Sequence, residues 1–176
     1  MDVFEAIAKR HSYRGDFKNT PVPRTDLERI VWAGLQAPSG CNAQTTSFVI
    51  VDDPALLREL AAIIDRPVMR TARAAIVCVA EHRPVYHGMS FGVEDCAAAV
   101  ENMLLAITAM GYATVWLDGV LRVENRGRRI ADLLGVPADR EVRIVLPIGI
   151  PAAKGEPKEK KPFAERAWFN RYGAAS

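Results

Sequence analysis

Cysteine and histidine are scarce in this chain, and an excess of charge of either sign is missing. The cysteines are three, Cys41, Cys78 and Cys96, widely spaced and with no C-x-x-C. An odd, scattered set argues for free thiols in a reducing cytoplasm and against a disulfide framework or zinc site. His11, His82 and His87 pair with no cysteine at ligand spacing, so no metal is expected. The formal net charge is only +2 and the cations are mostly interleaved with acids, which excludes the strong basic excess of a nucleic-acid binder. Long apolar runs are lacking too. The longest uncharged one, 103–117, is broken by Gly111 and falls short of the about 20 residues that cross a bilayer. Asp2 and Glu5 stand where a secretory leader would be basic and then apolar. Also absent are G-x-G-x-x-G after a strand, G-x-x-x-x-G-K-S/T, H-E-x-x-H and G-x-S-x-G, which leaves a dinucleotide fingerprint, a phosphate loop, a zinc protease and the common hydrolase elbow unsupported. A soluble, cytoplasmic protein without membrane or nucleic-acid partners is expected.

What is present suits one globular domain over residues 1–176: 49% hydrophobic and 25% charged residues, enough for a sizeable core. Asp2-x-x-Glu5 has the form of a capping box opening a helix that ends near Arg10. Thr25-x-x-Glu28 reads as a second capping box, with Pro38 stopping that helix. "SFVIVDD" is a strand, and Asp53-Pro54 caps the helix "ALLRELAAII". "AAIVCVAE" has the continuous apolar character of a strand covered on both faces. A long helix follows from about Gly92 to Met110, then strand "YATVWLD", helix "ENRGRRIADLLG" and strand "EVRIVLPIGIP". This is an α+β pattern with about four core strands. The tail "KGEPKEKKPFAERAWFNRYG" mixes charges with Phe163, Trp168, Phe169 and Tyr172, aromatics that a free tail would not need, so it reads as docked.

Two segments carry candidate chemistry. "KRHSYRGDF" gathers Lys9, Arg10, His11 and Arg14 around the Ser12 hydroxyl where the first helix ends. It is either a solvated terminus, whose cations suit the negative end of the dipole, or an anion site, most simply for phosphate. "APSGCNAQTTSFVIV" breaks a helix at Pro38 and offers backbone N–H groups, the Ser39 hydroxyl and the Asn42 and Gln44 amides, which either bind a polar ligand or satisfy the turn.

The combination resembles the FMN-dependent nitroreductase family. "KRHSYR", "APSGCN-Q" about 25 residues on, "VEDCAAAVENMLLAITAMGYAT", "VWLDG", "VRIVLPIGIP" and "KEKKPFAE" occur in the family's order over nearly the whole chain. The resemblance implies a three-layer α-β-α fold, a central mixed sheet flanked by helices with one long central helix. It implies that Arg10 and Ser12 hold the FMN phosphate and ribityl oxygens, that His11 contributes backbone contacts, and that Arg14 lies at the pyrimidine edge. A planar guanidinium forks onto phosphate, and a cation beside the ring favours its anionic reduced form. Lys158 and Lys160 match a basic pair at the phosphate, with Lys161 a possible substitute for either. Ser39, Gly40, Asn42 and Gln44 match the loop that reaches the flavin from the partner subunit. Leu117, Asp118 and Gly119 match the stretch beside flavin N5, the reacting centre, so no side chain is assigned as catalytic.

The chain departs from the family pattern in places. Thr45-Thr46 stands where Pro-Trp is common, and Cys41 is expected to be a small buried filler rather than a redox group. Asp65, Arg66 and Arg73 lie in the region that meets the flavin pyrimidine, but none matches a motif.

The implied activity is an FMN-dependent NAD(P)H oxidoreductase with ping-pong kinetics. Hydride passes from NADH or NADPH to flavin N5 and then to a small acceptor such as a nitroaromatic or quinone. The alternatives are reductive dehalogenation, flavin breakdown, or FMN storage or sensing without turnover. FMN rather than FAD is expected, because no adenine-binding fingerprint is present. A homodimer is expected as well. The long helix is apolar on more than one face, the aromatic tail 154–176 reads as an extension docked on the partner, and the two flavin-contacting segments come from different chains in the family.

Overall fold

In a computed structural model of the chain, residues 1–173 are described; 174–176, the end of the expected extension, lie outside them. The elements run α1 (Val3–Lys9), α2 (Arg24–Leu35), β1 (Thr46–Val51), α3 (Pro54–Ile64), α4 (Pro67–Arg70), β2 (Ala74–Glu81), α5 (Gly92–Ala109), α6 (Arg126–Leu134) and β3 (Arg140–Ile148), with single 3-10 turns at Gly40–Asn42, Gly119–Arg122 and Phe163–Glu165.

The helix starts follow from local chemistry. Asp2 accepts from the Glu5 N–H at 2.9 Å while Glu5 reaches back to the Asp2 N–H at 3.3 Å, which completes the first capping box. Asp53 accepts from the Ala55 and Leu56 N–H groups at 2.8 and 2.9 Å, with Pro54 at the first helical position. The second expected box does not form. Pro23 occupies the cap position with φ −58°, so the chain is already helical at Arg24 and Thr25 lies inside α2.

Three strands form one sheet in the order β1-β2-β3, antiparallel throughout. Among the described residues the sheet is therefore antiparallel rather than mixed, and three-stranded rather than four. Residues 112–118 make only two bridges along this edge, Leu117 opposite Val145 of β3 and Ala113 opposite Gly149 just past its end. Between these bridges the Thr114 carbonyl accepts from the Tyr13 N–H at 2.8 Å instead, so no ladder develops.

The layers are nevertheless three, as the family resemblance implies. β2 sends Ala74, Ile76, Cys78 and Ala80 toward α2 and α5, and Ala75, Val77 and Val79 toward α3 and α6. Alternation along one strand thus feeds two cores, which is why its sequence is apolar without a break. On α5 the buried positions Gly92, Asp95, Cys96, Ala99, Val100, Met103, Leu104 and Ile107 follow a helical stripe toward the sheet.

The helix-free segments meet beyond one margin of the sheet. The Lys18 N–H donates to the Ile150 carbonyl and the Ala152 N–H to that of Asp16, at 2.8 and 2.9 Å. Segment 10–18 is therefore held between 112–118 and the start of the tail.

Candidate active site

The end of α1 places the basic segment. Arg10 caps the helix through its N–H, which donates to the Ala6 carbonyl at 2.9 Å, and its guanidinium meets Glu101 of α5 at 3.3 Å. The Ser12 hydroxyl is exposed and has no hydrogen-bond partner among the described residues. Tyr13 turns inward, and its hydroxyl donates to the Asp16 carbonyl at 2.7 Å and accepts from the Ala153 N–H at 3.3 Å. The segment is thus anchored by its tyrosine and presents its polar residues outward. Arg14 forms no ion pair among the described residues.

Arg14 shares a cavity of about 290 Å³ with Arg66, Val68 and residues 115–120, which include Leu117, Asp118 and Gly119. The Asp118 carboxylate is held in a fork by Arg122 at 2.7 and 2.6 Å, and this partner keeps the Arg122 guanidinium more firmly charged than usual. The Asp118 and Gly119 backbone N–H groups find no acceptor among the described residues. A cation and two free N–H donors on one cavity wall suit an electron-rich polar ring or an anion.

The tail begins beside this segment. Gly155 packs so closely on His11 that a Cβ there would lie 2.2 Å from Nε2, and Nε2 is buried with no hydrogen-bond partner. His11 Nδ1 lies 3.0 Å from the Lys9 carbonyl, which sets the ring. Lys158 and Lys160 are exposed, three and five positions past this anchor, so an extended chain carries them at most about 10–18 Å from it.

The loop at 36–45 forms a second pocket, of about 130 Å³, lined by Ser39, Gln44, Thr46, Asp95 and Ala99 among others. Within one chain the loop and Arg14 therefore belong to different pockets. Buried Asp95 organises the loop, accepting from the Gly40 N–H at 2.8 Å and the Thr45 hydroxyl at 2.5 Å. The Ser39 hydroxyl accepts from the Gln44 N–H at 3.0 Å, so that side chain does serve the turn. Asn42 and Gln44 take positive φ, 53° and 52°, and are exposed. Cys41 is exposed as well, at φ 52°, which corrects the expected buried filler: the tight 3-10 turn points it outward.

Sequence reasoning missed Asp95, Glu101, Thr45 and Arg122. Asp95 carried a signal, because an acid on the apolar stripe of α5 must find partners. Of the residues near the expected pyrimidine edge, Arg66 enters the Arg14 cavity, whereas Arg73 lines another on the far side of α4.

The family model described as "Nitroreductase family" matches residues 7–75 and 64–150. The chain belongs to the nitroreductase family. A relative from Archaeoglobus fulgidus, named as a candidate NADH dehydrogenase/NAD(P)H nitroreductase, is 33% identical over 93% of this chain and 90% of its own. A nitroreductase-family crystal structure from Bacteroides thetaiotaomicron, with the same name, superposes with a TM-score of 0.84 at 29% identity, covering 97% of this chain and 98% of that one. An FMN-dependent nitroreductase from Clostridium difficile superposes with a TM-score of 0.83 at 23% identity, covering 96% and 99%, a likeness of fold.

Proposed function

We propose that the protein is an FMN-dependent NAD(P)H oxidoreductase working as a homodimer. The observation that carries this reading is the Arg14 cavity, where an unpaired guanidinium shares a wall with the free Asp118 and Gly119 N–H groups. The residues present fit the cofactor. Arg10, Ser12, Lys158 and Lys160 would hold its phosphate, with the packing of Gly155 against His11 keeping the tail close by. Arg14 and Arg66 would meet its polar edge. When bound, FMN supplies reversible two-electron chemistry, so that NAD(P)H and a small acceptor, a nitroaromatic or quinone, use one site in turn.

The chain's own contribution is binding and charge. Arg14 favours added negative charge in the cavity, and no acid among the described residues pairs with it. Asp118 is committed to Arg122 through both carboxylate oxygens. The Ser39, Gly40, Asn42 and Gln44 loop would complete the cavity from the partner subunit.

The dimer reading rests on apolar surface. Phe4 is 79% and Trp32 63% exposed, and Val3, Ile7 and Leu35 are exposed beside them on α1 and α2. In the tail, Phe163 and Phe169 pair at 6.3 Å and Trp168 and Tyr172 at 4.2 Å, while Tyr172 stays 89% exposed. These rings stack on one another rather than entering the chain's own core, as an extension docked on a partner would.

Purified protein should be yellow and release FMN rather than FAD on chromatography. Anaerobic addition of NADH or NADPH should bleach it, and a quinone or nitroarene should restore the colour. Colour without bleaching would mark a storage or sensor protein, and colourless protein that takes up no FMN would overturn the reading.

A further inference from the structure

A second sizeable cavity lies outside the site described above. It measures about 540 Å³, within the range of small-molecule sites, and opens between α3, α4 and the start of β2. α4 is the partition. Val68 faces the Arg14 cavity, whereas Met69 and Arg70 face this one.

Its chemistry is uneven. Leu57, Ala61 and Met69 give it an apolar wall, and Arg58, Arg70 and Arg73 bring three guanidinium groups. None of the three forms an ion pair or a side-chain hydrogen bond among the described residues. The one carboxylate on the wall, Asp52, is already occupied by Arg24, whose Nε and Nη2 lie 2.5 and 3.0 Å from its two oxygens. Arg73 is the decisive member. It is half-buried, and its Nε is fully buried with no partner. A ligand in the cavity would meet the terminal nitrogens of this guanidinium rather than Nε, and half-burial strengthens such charged contacts.

We propose that this cavity binds a small organic carboxylate, its apolar body on Leu57 and Met69 and its two oxygens on Arg73 with Arg58 or Arg70. A planar carboxylate matches the guanidinium fork with two parallel hydrogen bonds. The apolar wall favours a monoanion with a hydrophobic body over a phosphate dianion, whose desolvation costs more. The site takes its ligand independently of FMN.

Isothermal titration calorimetry with benzoate tests this on the full chain, with and without saturating FMN. Benzoate should bind saturably with the same affinity in both, and Arg73→Met should weaken it about tenfold or more. Arg58→Ala, at an exposed position of α3, should also weaken it and serves as the check should Arg73→Met fold poorly. Arg73→Met should leave FMN binding intact. The proposal is overturned by loss of benzoate binding when FMN is added, by unchanged affinity in both variants, by no saturable binding, or by phenyl phosphate binding where benzoate does not. Because the readout is benzoate affinity, protein that failed to bind FMN would still give a decisive result here.

Discussion

The buried carboxylate of Asp95 reaches the Gly40 N–H at 2.8 Å, tying the loop at 39–44 to the long helix α5. Its other oxygen takes the Thr45 hydroxyl, so a single side chain fixes both ends of the turn. Asp95→Ala would leave a buried N–H and hydroxyl unpaired and should cost about 1–3 kcal/mol in urea unfolding. Asp95→Asn, which keeps an acceptor for Gly40, should recover much of that loss. Equal stability of all three proteins would show that the loop does not depend on Asp95.

Arg14→Ala should weaken FMN binding about tenfold or more, since a charge-assisted contact is worth about 1.5–3 kcal/mol. Arg10→Ala should also weaken it, yet barely alter stability, because the Arg10–Glu101 pair lies at the surface, half-buried on the arginine side, and is worth about 0–1 kcal/mol. Fluorimetric FMN titration alongside thermal melting separates the two effects. An Arg14 variant with full affinity would remove the cavity at 115–120 from consideration.

Tyr112 gives a pH signature. Burial, and then its 2.7 Å hydrogen bond to Asp26, push its phenol from 10.0 up to about 12. The proton is held more tightly in the folded state, so the stabilisation is complete below pH 10.0 and is lost as pH rises toward about 12. Urea midpoints should fall over that window in the parent, and less steeply in Tyr112→Phe. Parallel curves would exclude the Tyr112–Asp26 contact as their cause.

Native protein should titrate one fast thiol per chain, Cys41, with Cys78 and Cys96 reacting only after unfolding. Saturating FMN should slow Cys41 if the loop at 39–42 closes over the partner's cofactor. Two or more fast thiols in the native state would contradict the packing of β2 on α5.

Removing residues 154–176 should convert the dimer to monomer on light scattering and sharply weaken FMN binding, through loss of Lys158 and Lys160. In the full chain, added FMN should raise the melting temperature, because ligand binding is linked to folding and assembly. A truncated dimer with unchanged FMN affinity would show that the tail takes no part in either.

By itself the sequence determined the elements whose causes are local. Asp2 with Glu5, and Asp53 with Pro54, mark helix starts because caps act within one turn. β2 was legible because a strand between two helical layers must be apolar at every position. The order of motifs determined the family, and with it the α+β class. Tertiary structure alone decided what depends on competition between distant partners. Residues 112–118 carry strand-like sequence, yet Tyr13 claims the Thr114 carbonyl and breaks the ladder. Arg66 and Arg73 look alike in sequence, but a single turn of helix, α4, sends them to different cavities. Asp95, fifty-five positions from Gly40, meets it only because α5 packs against the loop, a long-range contact that no local pattern encodes.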